Sequence, residues 1–211
     1  MSLLEITGLT HSFGENLLYK NAGFTLNKGE HIGIVGQNGT GKSTLIKICT
    51  EQIIPDSGRV IWQSNITIGY LDQYAEIDHT LTMKEFLKSA FAKLFEIETQ
   101  VMQLYEKAAD GDMKNLELAA YYQEQLETHD FYSIDTAIER VANGLGLLAI
   151  GLDRPIIEMS GGQRAKVILA KLLLEKPDVL LLDEPTNFLD KDHVSSLKDS
   201  FTKYTSKATT I

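Results

Sequence analysis

The chain has 211 residues, of which 43% are hydrophobic and 23% charged, enough for one large core or for a core with a small appendage. Its 20 basic and 29 acidic residues give a formal net charge of −9, which argues against binding nucleic acid over a broad surface. The N-terminus lacks the basic and apolar segments of a secretory signal, and the longest aliphatic run, Val179–Leu182, is far too short to cross a membrane. A single cysteine, Cys49, excludes an internal disulfide, so a cytoplasmic location is expected.

Alternating apolar and polar residues predict strands in the first 35 residues, at 4–7, 23–26 and 31–35. The third strand leads into a glycine-rich loop, which is followed by a predicted helix at 42–50. After a Pro-Asp-Ser-Gly turn, 59–62 and 66–71 are predicted as a hairpin or strand pair.

The middle of the chain differs, because its apolar residues recur at helical spacing from Thr82 to about Lys107 and again after the turn at 110–112. Two helices joined by a short loop predict an antiparallel helical hairpin. A third helix is predicted at about 133–143. Near the end, a helix at 163–175 and buried strands at 178–182 and 208–211 are typical of a parallel sheet.

The glycine-rich loop fits the pattern G-x-x-x-x-G-K followed by S or T, whose backbone N–H groups surround a polyphosphate. Its glycines let the main chain curve where a Cβ would intrude, and the helix that follows adds partial positive charge. Lys42 is expected to reach the β- and γ-phosphates, and Ser43 to bind Mg²⁺ through its hydroxyl. The predicted ATP-binding residues of this segment are Gly36, Gln37, Asn38, Gly39, Thr40, Gly41, Lys42, Ser43 and Thr44.

Two further motifs follow in a recognisable order. A Ser-Gly-Gly-Gln segment at 160–163 stands one helix upstream of Val179–Glu184, a hydrophobic strand that ends in Asp-Glu and is followed by Pro-Thr. Together with the phosphate loop, these motifs resemble the ATP-binding cassette (ABC) family, from residue 3 to the C-terminus with one long insertion. The resemblance implies an α/β fold, a P-loop NTPase ABC cassette with an antiparallel β subdomain and an inserted, arm-like helical hairpin.

The resemblance also implies a domain organisation. Residues 1–81 form the first part of the ATPase core, with the β subdomain and the phosphate loop; residues 82–143 form the helical insertion; residues 144–211 carry the signature helix and the Walker B strand. The chain is expected to stop before the switch histidine of the family, as the first cassette of a longer protein. None of the five histidines is predicted to bind metal, and His193 lies too close to Asp190 to be the switch residue.

Roles for individual residues follow from the same resemblance. Asp183 would hold Mg²⁺ through water, Glu184 would orient or deprotonate the attacking water, and Gln73 would contact both the metal and that water. Phe13 would stack on adenine, with a plain core phenylalanine as the alternative. Asp190 would touch an opposing cassette. The predicted catalytic residues are thus Glu184, Gln73 and Lys42, and the predicted Mg²⁺ ligands are Ser43, Gln73 and Asp183.

The signature segment comprises Ser160, Gly161, Gly162 and Gln163. Ser160 is expected to cap the following helix and leave the free N–H groups of that helix facing outward. In the family, this helix end binds the γ-phosphate of ATP held by a second cassette. One cassette therefore carries half of each of two sites, and the second is expected on the same full-length chain.

Three hypotheses remain for the kind of ABC protein. Gln73 and Ser160 stand 87 positions apart, which leaves room for the helical hairpin, and Glu184–Asp190 resembles the E-P-T-N-H-L-D of the soluble, ribosome-acting ABC-F family, with Phe188 in place of histidine. Some members of that family give resistance to ribosome-targeting antibiotics. Residues 86–142 hold five basic and eleven acidic residues, a net charge of −6 that is a poor footprint for ribosomal RNA. An ATPase subunit of a membrane transporter and a non-catalytic, ATP-gated interaction module are the alternatives.

Overall fold

A computed structural model describes residues 2–71, 78, 80–108, 112–183 and 209–210. Contacts divide the chain into two compact units. Unit 1 comprises Met1–Glu76 with Lys176–Ile211, and unit 2 comprises Ile77–Glu175.

Unit 1 contains an antiparallel sheet that is larger than the sequence predicts. Strands β1 (Ser2–Phe13) and β2 (Asn16–Asn27) form a long hairpin around a two-residue turn, and β3 (Ser57–Trp62) pairs with the other edge of β1. The strand order is β2-β1-β3. The predicted strands at 4–7 and 23–26 therefore cover only four residues each of two twelve-residue strands.

The helix after the phosphate loop, α1 (Lys42–Cys49), packs on this sheet through its apolar face. The predicted strand at 31–35 is wrong, because only His31 forms a β-bridge and Val35 is almost fully exposed. An alternating pattern of apolar residues shows which side chains share a face, but it does not show whether the backbone N–H and C=O groups have a neighbouring strand to pair with. A strand needs that neighbour as well as the pattern. The core of unit 1 is built from Leu4, Ile6, Leu9, Leu26, Ile46, Ile48, Cys49, Val179 and Leu181, among others.

A second, parallel sheet in unit 1 carries the acidic strand end. Its strands are β4 (Ile68–Leu71), β5 (Val179–Leu182) and β6 (Thr209–Thr210), in the order β4-β5-β6. The predicted pairing of the strands at 59–62 and 66–71 is wrong, because β3 pairs with β1 and β4 with β5. The register of Leu71 beside Leu182 brings the carboxyl ends of two strands to one edge of the sheet, the edge at which α/β folds bind ligands.

Unit 2 is helical, as predicted. A capping box formed by Thr82 and Glu85 starts its first helix. The two helices of the predicted hairpin pack on each other, and the Tyr105 hydroxyl donates a 2.7 Å hydrogen bond to Gln123 Oε1 across them. The helices are α2 (Met83–Lys88), α3 (Ala92–Ala108), α4 (Met113–Thr128), α5 (Ile134–Gly144) and α6 (Gly161–Glu175), with short 3-10 turns at Ser89–Phe91, Phe131–Ser133 and Ile156–Glu158.

Along the ranges that the structure describes, no helix combines the length and the apolar character that crossing a membrane requires.

Candidate nucleotide-binding site

An open cleft of about 260 Å³ lies in unit 1 between the end of the β1–β2 hairpin and the start of α1. It brings together one aromatic side chain from the hairpin and the phosphate loop, which are separated by some twenty-five residues of sequence. Its lining residues are Phe13, Asn16, Leu18, Asn38, Gly39, Gly41, Lys42, Ser43 and Thr44. Gly36, Gln37 and Thr40 belong to the same loop but do not line the cleft.

The ammonium group of Lys42 lies inside the phosphate loop. Its Nζ donates to the Gly36 carbonyl at 3.0 Å and to the Gln37 carbonyl at 3.1 Å. The Thr40 hydroxyl donates to the same Gln37 carbonyl at 2.9 Å. A positive charge is thus held among main-chain carbonyls at the place where the loop would surround an anion, and phosphate oxygens are stronger acceptors for it than neutral carbonyls.

The N-terminus of α1 is open toward the cleft. Gly41 precedes the helix with φ +100°, a conformation that favours glycine, and no side chain caps the first turn. The first N–H groups of a helix have no partner within the helix and carry partial positive charge. This helix end is therefore a ready site for a phosphate group.

Tyr19, from β2, holds Gly41, the residue of the loop that directly precedes α1. Its hydroxyl donates a hydrogen bond to the Gly41 carbonyl, and a Cβ at Gly41 would lie 2.5 Å from the Tyr19 hydroxyl oxygen. Burial raises the pKa of Tyr19, so the hydroxyl stays a donor throughout the neutral range. Sequence reasoning missed Tyr19, Asn16 and Leu18, because the predicted second strand began only at residue 23.

The Phe13 ring is 54% exposed at the mouth of the cleft. A core phenylalanine, the alternative considered from the sequence, would be buried. The exposed ring offers a flat apolar surface within the same cleft as Lys42 and Ser43.

The acidic strand end is described as far as Asp183, which follows β5 directly and is half-buried. Gln73, Glu184 and Asp190 lie outside the described residues. In the part of the chain that the structure describes, no three His, Cys, Asp or Glu side chains gather as a metal cluster. The available donors, the exposed hydroxyl of Ser43 and the carboxylate of Asp183, still fit Mg²⁺, which is commonly held by one or two protein oxygens together with phosphates and water.

The signature segment lies in unit 2 and is built as predicted for a helix start. Gln163 N–H donates to Ser160 Oγ at 3.3 Å, while Ser160 N–H donates to Gln163 Oε1 at 2.9 Å. This reciprocal pair is a capping box, with Ser160, Gly161 and Gly162 exposed. Arg164 donates to the Met159 carbonyl at 3.0 Å and holds the preceding turn. A Cβ at either glycine would meet no atom within 4 Å, so the surface over this helix end is open.

Comparison with known proteins gives the family. The model of the family described as "ABC transporter" matches residues 19–187. The ABC transporter ATP-binding protein YfmM of Bacillus subtilis (strain 168) is 46% identical over 208 residues, 97% of this chain and 40% of the relative. ABC transporter F family member 2 of Arabidopsis thaliana is 33% identical over 203 residues, which are 92% of this chain and 30% of the relative. The energy-dependent translational throttle protein EttA of Escherichia coli (strain K12) is 36% identical over 184 residues, 86% and 33% of the two chains.

The chain thus spans 30% to 40% of the length of these three relatives. Among solved structures, an ATP-binding subunit of an ABC transporter superposes with a TM-score of 0.68 at 19% identity, covering 99% of this chain and 78% of that one. At that identity the likeness shows the fold alone, and it confirms the predicted ABC cassette.

Proposed function

The chain belongs to the ABC transporter family of ATPases, and we propose that it is the first nucleotide-binding cassette of a cytoplasmic ABC-F protein that couples ATP hydrolysis to work on the ribosome. The observation that carries the nucleotide part is the cleft, in which an exposed aromatic ring, a lysine ammonium and an uncapped helix start line one cavity. This combination offers a stacking surface at one side and an anion site at the other.

In this proposal the base stacks on Phe13 and the phosphates enter the loop. Lys42 then transfers its hydrogen bonds from the Gly36 and Gln37 carbonyls to the β- and γ-phosphate oxygens. Ser43 and Asp183, with Gln73, would hold Mg²⁺, which when bound neutralises charge on the phosphates. Glu184 is proposed to accept a proton from the attacking water or to orient it.

The signature segment is proposed to serve a different nucleotide. The described residues that line the cleft belong to unit 1, whereas Ser160 belongs to unit 2 and presents a capped, exposed helix start. We propose that this helix start binds the γ-phosphate of ATP held by a second cassette of the full-length protein, with Asp190 contributing to the contact between cassettes. The proposed parts remain 1–81 and 144–211 for the ATPase core and 82–143 for the arm-like insertion.

The ribosomal role is supported by the helical insertion and by the relatives. The α3–α4 hairpin lies within the long interval between Gln73 and Ser160, and Glu184–Asp190 keeps the ABC-F pattern except at Phe188. One relative is named as an F family member, and another as a translational throttle. Because the insertion is acidic, we expect it to contact protein or to pack on its own cassette rather than to contact RNA.

The test of catalysis is Glu184→Gln in the full-length protein. ATP binding should stay within about twofold of the wild type, while turnover should fall about tenfold or more, since the carboxylate acts on the water and not on the bound phosphates. Asp178→Asn is the matched control, because it removes one carboxylate charge from the residue that precedes β5. Unchanged turnover in Glu184→Gln, with normal binding, would contradict the assignment.

The same variant tests the partner. If hydrolysis releases the protein from ribosomes, Glu184→Gln should cosediment with purified ribosomes in the presence of Mg-ATP, and Lys42→Ala should not. Recovery of the full-length protein with a membrane permease, and none with ribosomes, would favour the transporter-subunit alternative.

A further inference from the structure

The Phe13 ring needs support from its neighbours if it is to act as a stacking surface. It ends β1 beside a two-residue turn and is more than half exposed, so few contacts limit its rotation. Ordering a side chain only when the ligand arrives reduces affinity, and a ring held in place beforehand avoids that loss.

His11 holds one side of this ring. The two residues share a face of β1, because side chains two apart in a strand point the same way. Their ring centroids are 4.9 Å apart at an interplanar angle of 81°, an edge-to-face contact. His11 is only 5% exposed, and within the described ranges its ring nitrogens make no hydrogen bond, so its ring is held largely by packing.

Asp56 holds the backbone that carries both rings. It lies just before β3, and its Oδ2 accepts hydrogen bonds from the Ser12 N–H at 2.8 Å and the Ser12 hydroxyl at 2.7 Å. Its other oxygen, Oδ1, is 3.5 Å from His11 Nδ1. The Ser12 hydroxyl bond, with the Ser12 N–H bond and the nearby His11 ring, lowers the pKa of the Asp56 carboxyl, which stays ionised in the neutral range.

We propose that Asp56 and His11 are positioning residues that hold Phe13 as a preformed platform for the base of the nucleotide. This inference rests on the proposed nucleotide-binding function. Asp56 joins the end of β1 to the segment after α1, and α1 begins at the phosphate loop. Asp56 is not among the described residues that line the cleft, and its described contacts are with Ser12 and His11, so in this proposal it acts on the ligand through Phe13.

The experiment compares ATP with inorganic tripolyphosphate, which has the phosphates but no base, using full-length protein and calorimetry. Asp56→Ala should weaken ATP binding about fivefold, the factor in affinity that corresponds to the loss of one aromatic contact. Tripolyphosphate binding should stay within about twofold of the wild type. His11→Ala should behave in the same way.

The matched control is Asp178→Ala. Asp178 Oδ2 accepts from the Thr67 N–H at 2.8 Å and from the Thr67 hydroxyl at 2.9 Å, the same pair of bonds in the same unit but at the start of β5. This variant should change neither affinity. If Asp56→Ala is poorly folded, Asp56→Asn keeps one acceptor oxygen for Ser12 and should bind ATP with an affinity between those of the wild type and Phe13→Ala.

A double-mutant cycle decides the mechanism. In a Phe13→Ala background, Asp56→Ala should cause no further loss of ATP affinity, because the ring through which it acts is absent. Equal weakening of ATP and tripolyphosphate, or losses that add in full in the double variant, would overturn the inference. If the wild-type protein bound tripolyphosphate and ATP equally, or bound neither, the proposed nucleotide function would fail instead.

Discussion

Removal of one oxygen atom, in Tyr19→Phe, tests how the sheet supports the phosphate loop. The hydroxyl donates to the carbonyl of Gly41, the residue from which α1 starts, and the rest of the ring can stay in place. The substitution therefore removes one hydrogen bond with little change in packed volume, at a residue that does not line the cleft.

The expected loss of free energy depends on which hydrogen bonds the Gly41 carbonyl still accepts after the substitution. It also accepts a 2.9 Å hydrogen bond from the Leu45 N–H, so loss of the tyrosine leaves it with one partner. A hydrogen bond contributes about 1 kcal/mol net to stability. Because the Gly41 carbonyl keeps one partner, we expect the substitution to cost about 0.5–1 kcal/mol. If the bond holds the loop in its binding conformation, ATP affinity should fall about twofold to fivefold.

The assay is calorimetric titration of the full-length protein with Mg-ATP and with tripolyphosphate. Both ligands should be weakened equally, because Gly41 belongs to the phosphate side of the cleft. Tyr105→Phe is the matched control, since it removes a tyrosine hydroxyl bond of 2.7 Å to Gln123 Oε1 in unit 2. It should lower stability slightly and leave both affinities unchanged.

Two results would refute the reasoning. Unchanged affinity for both ligands in Tyr19→Phe would show that the hydroxyl does not hold the loop. A loss confined to ATP would place Tyr19 on the base side and not on the phosphate side.

Two further predictions concern α1. Lys42→Ala should weaken ATP and tripolyphosphate alike by about tenfold to a hundredfold, the range for charged hydrogen bonds, while the exposed Lys47→Ala on the same helix should not, as measured by calorimetry. Burial raises the pKa of the Cys49 thiol from 9.0 to about 12, so only the unfolded chain releases this proton as the pH rises above 9.0. The contribution of Cys49 to stability is therefore complete below that pH and decreases toward pH 12. Urea unfolding midpoints should fall with rising pH more steeply in the wild type than in Cys49→Ala. Parallel curves for the two proteins would contradict the raised pKa.

Features encoded by neighbouring residues could be predicted from the sequence. The phosphate loop and the cap of α6 depend on residues three to eight positions apart, and the capping box of Ser160 and Gln163 is visible as a four-residue pattern. The helical hairpin was also predictable, because its apolar spacing extends over several turns.

Features that depend on distant partners could not be predicted. The strand at 68–71 pairs with a strand more than a hundred residues later, and no local pattern chooses that partner over the neighbouring β3. For the same reason Tyr19 and Asp56 were missed. Each acts through a bond to a residue more than twenty positions away, and tyrosine and aspartate are ordinary residues at a strand and a turn.

The missed contacts explain how a short motif becomes a binding site. The phosphate loop is itself exposed, and the described bonds within it join neighbouring residues. Its position relative to the Phe13 ring depends on β1 and β2, in which His11 lies directly opposite Tyr19. One residue of this pair contacts Phe13 and the other bonds to Gly41, so a single cross-strand pair connects the base side to the phosphate side. The described residues that line the cleft thus belong to unit 1, and a loss of ATP binding should follow from damage to the hairpin even when the loop sequence is intact.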